Sequence, residues 1–152
     1  MNTRKFGGFC VVLAFVGLLV VPSQGRSQEK KVEHMEHNEM MQACAKACSD
    51  CQRACDACTT HCMHMLHAGK VDHLESLTTC QDCATICSAA SQIAARGGPF
   101  SANICTACAD ACAECGKACE KFPDDKHMKM CAEECRKCEA ACRAMVKHMA
   151  AK

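Results

Sequence analysis

The chain contains no tryptophan and no tyrosine, and five phenylalanines among its 152 residues are the only members of these three types. Proteins that bind single-stranded nucleic acid commonly stack the bases on aromatic side chains, so this composition argues against that class. The formal net charge of +1, from 18 basic and 17 acidic residues, supplies no strongly basic surface for phosphate groups. We therefore expect no nucleic-acid partner.

Large apolar side chains are also scarce. After residue 25, leucine, isoleucine, valine and phenylalanine together occur only at Val32, Leu66, Val71, Leu74, Leu77, Ile86, Ile93, Phe100, Ile104, Phe122 and Val146. A shortage of this degree would by itself suggest a disordered chain. Cysteine is abundant over the same stretch, however, and a free cysteine packs as a small hydrophobic residue. We therefore expect thiols, with alanine and methionine, to form the interior.

The cysteines follow a helical spacing. Within residues 44–62 they recur at intervals of four, three, four, three and four residues, and three later segments repeat the alternation. Residues at such intervals lie on one face of an α-helix, and the first row is about 27 Å long at 1.5 Å per residue. The rows contain Cys44, Cys48, Cys51, Cys55, Cys58, Cys62, Cys80, Cys83, Cys87, Cys105, Cys108, Cys112, Cys115, Cys119, Cys131, Cys135, Cys138 and Cys142.

Four cysteine-bearing segments predict an all-α fold, an antiparallel up-down-up-down four-helix bundle with a Cys-lined core. The helices are expected at about residues 37–68, 72–96, 101–121 and 124–150. Gly69 can end the first helix in the left-handed conformation. Asp72 with Glu75 predicts a capping box for the second helix, and Asp124 or Asp125 is expected to cap the fourth.

The N-terminal region reads as a targeting segment. Two basic residues precede an apolar run at residues 9–21, and Pro22 is followed by small residues. This pattern is typical of a secretory signal peptide, since the run is short for a membrane span. We predict a cleaved signal peptide at 1–25, a flexible leader at 26–36 and a metal-binding bundle at 37–152. The protein would then be exported to the periplasm or another extracytoplasmic site, with no membrane contact after cleavage.

Methionine and histidine extend the cysteine rows toward both ends of the predicted bundle. Thioether and imidazole groups are additional soft or borderline metal ligands, although methionine on a helix face is often simply core. The extending residues, which we predict as further metal ligands, are Met41, Met65, Met128, Met145, Met149, His37 and His73. The other histidines after residue 33 are expected to be solvated, namely His34, His61, His64, His67, His127 and His148.

Thiolates and thioethers select Cu(I), Zn(II) and iron–sulfur clusters over hard cations. Multiple Cu(I) ions fit the rows best, because two thiolates can hold one Cu(I) and a bridging sulfur can serve two ions. Zinc or cadmium sequestration at tetrahedral four-thiol sites remains open, as does a disulfide-stapled helical scaffold. Iron–sulfur clusters are less consistent with these rows, since they prefer cysteines on loops. No thiol is singled out as a nucleophile, so we expect a binding protein and not an enzyme.

The repeated C-x3-C and C-x2-C alternation in all four segments, from residue 41 to residue 149, resembles that of the bacterial copper storage proteins. In that family, cysteine-lined four-helix bundles hold many Cu(I) ions. The resemblance implies a non-enzymatic copper store, assembled as a homotetramer. Copper donor or acceptor proteins are expected as partners. It also implies that members with a signal sequence are exported.

Overall fold

The computed structural model describes residues 24–151, and these form a four-helix bundle without β-strands. Its helices are α1 (Gln24–His67), α2 (Leu74–Ala95), α3 (Ser101–Glu120) and α4 (Lys126–Ala150), with a short 3₁₀ turn at Val71–His73 before α2. The predicted all-α, cysteine-cored bundle is confirmed. The signal peptide predicted at 1–25 lies outside the described residues except for its last two.

Contacts between sulfur atoms define the arrangement of the helices. Cys44 on α1 lies 3.7 Å from Cys142 on α4, whereas Cys55, farther along α1, lies 3.8 Å from Cys131. Sequence numbers therefore rise along α1 as they fall along α4, so the two helices are antiparallel. Helices adjacent in sequence pack side by side, and α4 returns beside α1. The connections contain few residues, as expected for an up-down-up-down bundle.

Helix α1 is longer than the sequence predicted. It contains 44 residues and begins at Gln24, whereas α2, α3 and α4 contain 22, 20 and 25 residues. The predicted helix start at residue 37 is therefore wrong. No proline or glycine interrupts residues 26–40, and their many Glu, Lys, Gln and Met residues favour helix continuation. Among the side chains of α1 that the structure describes, Met41 is the first buried one, and those described before it in the sequence are exposed or half-buried.

The connections confirm some of the predicted end signals and correct others. Gly69 has a φ of 82°, in the left-handed region that suits glycine after a helix. Asp125 caps α4, since its side chain accepts hydrogen bonds from the backbone amides of His127 and Met128. The predicted capping box at α2 is absent, because the Asp72 carboxylate bonds to the His73 ring and α2 starts only at Leu74.

Polar contacts between helices, both exposed and buried, stabilise the bundle. Arg136 on α4 makes a two-pronged contact with the Glu120 carboxylate on α3, with N–O distances of 2.8 Å, and it also donates to the Ala113 carbonyl oxygen. The Ser76 hydroxyl donates to the Ala118 carbonyl oxygen across the α2–α3 contact. Within the described part of the chain, no helix is long and apolar enough to cross a membrane.

Candidate metal centre

Every predicted cysteine ligand lies in the core. The eighteen cysteines from Cys44 to Cys142 are free thiols, and each is at most 1% exposed. The shortest distances between their sulfur atoms are 3.5 Å, as between Cys48 and Cys142 or between Cys80 and Cys115. A disulfide bond would require about 2.05 Å. The described cysteines therefore form a lining of thiols and not a set of cross-links.

The thiols from different helices converge into groups that can hold metal ions. In several groups, four sulfur atoms lie within 4.8 Å of one another. Examples are Cys48 with Cys108, Cys138 and Cys142; Cys51 with Cys83, Cys87 and Cys112; and Cys58 with Cys80, Cys119 and Cys131. Individual cysteines recur in neighbouring groups, as Cys55 and Cys135 do. The sulfur lattice is therefore continuous along the bundle and is not divided into separate sites.

Diagonal contacts complete the lattice. Cys48, Cys51 and Cys55 on α1 lie 3.8 to 3.9 Å from Cys108, Cys112 and Cys115 on α3, respectively. Helices α1 and α3 are diagonal partners, so their thiols meet across the bundle axis. No large side chain separates them, because cysteine occupies the positions where a bundle usually has leucine. The small size of cysteine thus permits four rows of sulfur atoms to share one axis.

Burial affects thiol protonation in the lining. Loss of water contact, followed by the effect of the neighbouring Cys58, raises the pKa of Cys62 to about 12. Hydrogen bonding with neighbouring thiols, led by Cys115, raises the pKa of Cys135 well above its ordinary value. Because thiolate is the form that binds a metal, an incoming cation must displace these protons. Metal binding to Cys62 and Cys135 is therefore coupled to proton release.

One end of the bundle combines methionine with clustered histidines. Met128 is fully buried, and its Sδ atom accepts hydrogen bonds from the thiols of Cys58, at 3.5 Å, and Cys62, at 3.8 Å. Beyond it, the ring of His61 stacks on that of His127 with centroids 4.6 Å apart, and it meets the ring of His73 edge-on at 6.2 Å. We call His61, His73 and His127 the histidine cluster.

Two carboxylates hold the histidine cluster in place. His61 Nε2 lies 2.7 Å from Asp125 Oδ2, and His73 Nδ1 lies 3.0 Å from Asp72 Oδ1. Desolvation acts to raise the pKa of Asp125, but the hydrogen bonds from His61 and two backbone amides outweigh it and place that pKa below its usual value. The Asp125 carboxylate is consequently ionised near neutral pH and available to orient His61.

The opposite end is formed by the beginning of the core-facing part of α1 and the end of α4. Met41 and Met145 are buried, while Met149 is half-buried and packs against the core. The His37 and His148 rings stack with centroids 5.3 Å apart. The predicted extension of the rows by methionine and histidine is thus visible in the arrangement, although metal binding by these side chains stays a prediction.

The remaining methionines and histidines differ in burial. Met65 is half-buried, whereas Met63 and Met130 are exposed and lie away from the core. His34, His64 and His67 are exposed, as expected for solvated side chains. The expectation that His61 and His148 are solvated is wrong, because both are half-buried in ring stacks. The spacing of the cysteines does not predict that His61 is buried. Its side chain becomes half-buried because α2 and α4 begin beside it.

Comparisons with known proteins identify the relatives of this bundle. A sequence profile described as copper storage protein matches residues 37–147. Copper-free copper storage protein 3 from Bacillus subtilis is 36% identical, with a TM-score of 0.60, over 68% of this chain and 96% of that chain. A cytosolic copper storage protein from Streptomyces lividans, solved with five coppers, is 30% identical, with a TM-score of 0.67, over 73% and 95%. No curated protein sequence matches significantly.

The comparisons overturn one prediction from the sequence. The Streptomyces lividans structure is that of a protein described as cytosolic, and this finding contradicts the predicted extracytoplasmic location. The apolar run at residues 9–21 that motivated the prediction lies outside the described residues. Because the family profile spans 111 residues of the 152 and the solved relatives share at least 30% identity, this chain belongs to the copper storage protein family.

Proposed function

We propose that this protein stores many Cu(I) ions on the thiolates that line its bundle. The observation that carries the proposal is the continuous lattice of eighteen buried, unpaired thiols, in which sulfur atoms of all four helices approach to between 3.5 and 4.0 Å. Thiolate is a soft ligand that favours monovalent copper. Family membership supports the same function.

Charge balance favours a large load of a monovalent cation. A buried net charge is costly, so the charges of cations and thiolates must nearly cancel. With bridging sulfurs and about one Cu(I) per cysteine, a filled core would hold on the order of 15 to 20 ions and remain close to neutral. Such a load is a store and not a catalytic centre, and we assign the protein no enzymatic role.

The eighteen cysteines are the principal ligands in this proposal. Methionine sulfurs would add ligands at the two ends of the sulfur lattice. Met128 is best placed for this role because its Sδ atom already contacts two thiols. Met41 and Met145 are buried at the other end, where Met149 and His37 adjoin them. Met65 is proposed as an end ligand of the copper store on the side of the histidine cluster, where His73 is proposed as a metal ligand.

Zinc or cadmium sequestration is the second candidate. The groups of four sulfur atoms within 4.8 Å are compatible with tetrahedral Zn(II) sites. Because neighbouring groups share cysteines such as Cys55 and Cys135, only some of them can be filled at once. A divalent ion bound by four thiolates would also leave net negative charge in the core, which favours Cu(I) as the occupant.

Exchange of copper requires partners outside the bundle. We propose that donor and acceptor proteins load and unload the store, and that the bundles assemble into homotetramers, as the family resemblance implies. Sedimentation equilibrium of the copper-free protein measures the assembly. A mass of four chains is the expected result, and a monomer at micromolar concentration contradicts it.

A metal competition separates copper storage from zinc sequestration. The reduced, metal-free protein is incubated anaerobically with equal amounts of Cu(I) and Zn(II), each in excess over the eighteen thiols, and the bound metals are counted by mass spectrometry. Copper storage predicts more than ten copper ions per chain and little zinc on cysteine. Preferential retention of about four zinc ions would instead establish zinc sequestration.

A further inference from the structure

The buried ring of His73 has an unused ligand atom. Its side chain is almost fully enclosed, with the residue 3% exposed, and one ring face stacks on Phe122 at a centroid distance of 4.0 Å. Nδ1 bonds to Asp72, whereas Nε2 is buried and has no hydrogen-bond partner. A neutral histidine that donates its Nδ1 proton to a carboxylate presents a lone pair at Nε2. A buried lone pair without a partner costs free energy, and a cation would supply the missing partner.

His61 is held in the same manner by a second carboxylate. Its Nε2 atom lies 2.7 Å from Asp125, whose other oxygen accepts the backbone amides of His127 and Met128 at the start of α4. Asp125 is therefore fixed by the helix it caps. A neutral His61 that donates through Nε2 leaves Nδ1 as its ligand atom. Histidines that bind metals are commonly oriented by a carboxylate on the other ring nitrogen, and both rings here have this arrangement.

We propose that the histidine cluster is a separate site for one divalent cation of borderline softness, of the Zn(II) and Cu(II) class. His61 and His73 are the two ligands that the carboxylates orient, and His127, stacked on His61 at 4.6 Å, is the third. The two oriented rings have centroids 6.2 Å apart, a separation that two imidazole ligands of one ion can span. Water completes the coordination.

The ligand chemistry distinguishes this site from the thiol core. Imidazole nitrogen is a preferred ligand of Zn(II), Cu(II) and Ni(II), whereas Cu(I) prefers thiolates. The nearest thiol in the sequence is that of Cys62, the last cysteine of the α1 row, directly after His61. The site does not depend on the copper store for its ligands.

A zinc titration of copper-loaded protein tests the proposal. The thiols are first saturated anaerobically with Cu(I), and Zn(II) is then added in competition with a chromophoric zinc chelator. One tightly bound Zn(II) per chain is expected, with affinity at least tenfold lower in His73→Gln and in Asp72→Asn. Asp72 is exposed, so its substitution leaves folding intact. His64→Gln, an exposed residue in the last turn of α1, is the matched control and is expected to bind zinc as the parent does.

A second measurement is made on the same Cu(I)-saturated protein, so that the added Zn(II) does not bind to free thiols. Imidazole nitrogen shifts of protein labelled with ¹⁵N-histidine are recorded before and after one equivalent of Zn(II), with His61 and His73 assigned from their glutamine variants. Large shifts at His61 Nδ1 and His73 Nε2 are expected. The proposal is overturned if these resonances do not move, or if His64→Gln weakens zinc binding as much as His73→Gln. The number of Cu(I) ions bound in the same samples tests the copper store independently. Failure of the divalent-cation site can therefore be distinguished from failure of the copper store.

Discussion

The Sδ atom of Met128 lies 3.5 Å from the Sγ atom of Cys58, which joins the first turn of α4 to the cysteine row of α1. The same thioether lies 3.8 Å from Cys62. Met128 is fully buried, so this sulfur is part of the lattice and not a solvent-facing side chain. The contact places a thioether where the thiol rows end and where a bound ion would need a further soft ligand.

Replacement of Met128 by leucine tests this role. The two side chains have similar volumes, so the free energy of unfolding of the copper-free protein is expected to change by less than about 1.5 kcal/mol. Cu(I) at this end of the sulfur lattice is expected to bind more weakly. Competition with a chromophoric Cu(I) chelator measures this affinity. Met130→Leu is the control, since Met130 is exposed. Equal copper affinity in Met128→Leu and the parent would rule out a ligand role.

Removal of one cross-helix thiol pair tests the continuity of the lattice. Cys83 on α2 and Cys112 on α3 have sulfur atoms 3.7 Å apart. The double substitution to alanine is expected to lower copper capacity by about two ions and to cost about 1 to 2 kcal/mol of stability through the space it leaves. Metal analysis and denaturant unfolding measure the two effects. Ser88→Ala on α2, outside the thiol rows, should change neither, and an unchanged capacity in the double variant would show that this pair holds no copper.

The cap of α4 supports both stability and the histidine cluster. Asp125→Ala removes two hydrogen bonds to backbone amides and is expected to cost about 1 to 2 kcal/mol, whereas Asp124→Ala, at an exposed neighbour, should cost little. The pKa of Asp125 is lowered from 3.8 in the folded protein, despite an opposing desolvation effect, because His61 and the amides stabilise the carboxylate. Its contribution is therefore present above pH 3.8 and is lost as pH falls through the lower folded pKa.

Unfolding of the parent and Asp125→Ala across pH 2 to 7 measures that dependence. The stability difference between them should be largest near neutral pH and should shrink in acid. A difference that grows as pH falls would contradict the assigned direction.

Thiol burial predicts an alkaline loss of stability in the copper-free protein. The pKa of Cys62 is raised from 9.0 to about 12, first by burial and then by the neighbouring Cys58. A raised folded pKa means that stability is fully present below pH 9 and is lost as pH rises toward 12. Denaturant midpoints under anaerobic, reducing conditions between pH 8 and 11 measure this slope. Cys62→Ala should make the slope shallower, and identical slopes would exclude Cys62 as a contributor.

The first turns of α1 provide a test of where the bundle begins. Side chains described between residues 28 and 36 are exposed, and Met41 is the first buried one. A chain that starts at residue 37 is therefore expected to keep the parent's copper capacity and to melt within a few degrees of it, because little apolar surface is lost. Thermal unfolding and metal analysis check both. A marked loss of stability would show that the extended part of α1 packs in solution.

The thiol core was predictable from sequence because cysteine recurs at the two spacings that define one helical face. Burial of all eighteen cysteines follows from those spacings once four helices share an axis. An up-down-up-down order brings the end of the first helix to the starts of the second and fourth, so the gathering of His61, His73 and His127 at one end was predictable. Their ring contacts were not, because these depend on the exact register of the helix ends. The predicted capping box at Asp72 is absent for a local reason, because the Asp72 carboxylate is hydrogen-bonded to the adjacent His73 ring.

Anaerobic titration of the reduced protein with Cu(I), against a chromophoric chelator, tests the central claim most directly. A lattice of eighteen available thiols predicts that copper is withheld from the chelator until more than ten equivalents have been added per chain, with protons released as it binds. Saturation at one or two equivalents would contradict a copper store and would indicate a protein that carries single ions.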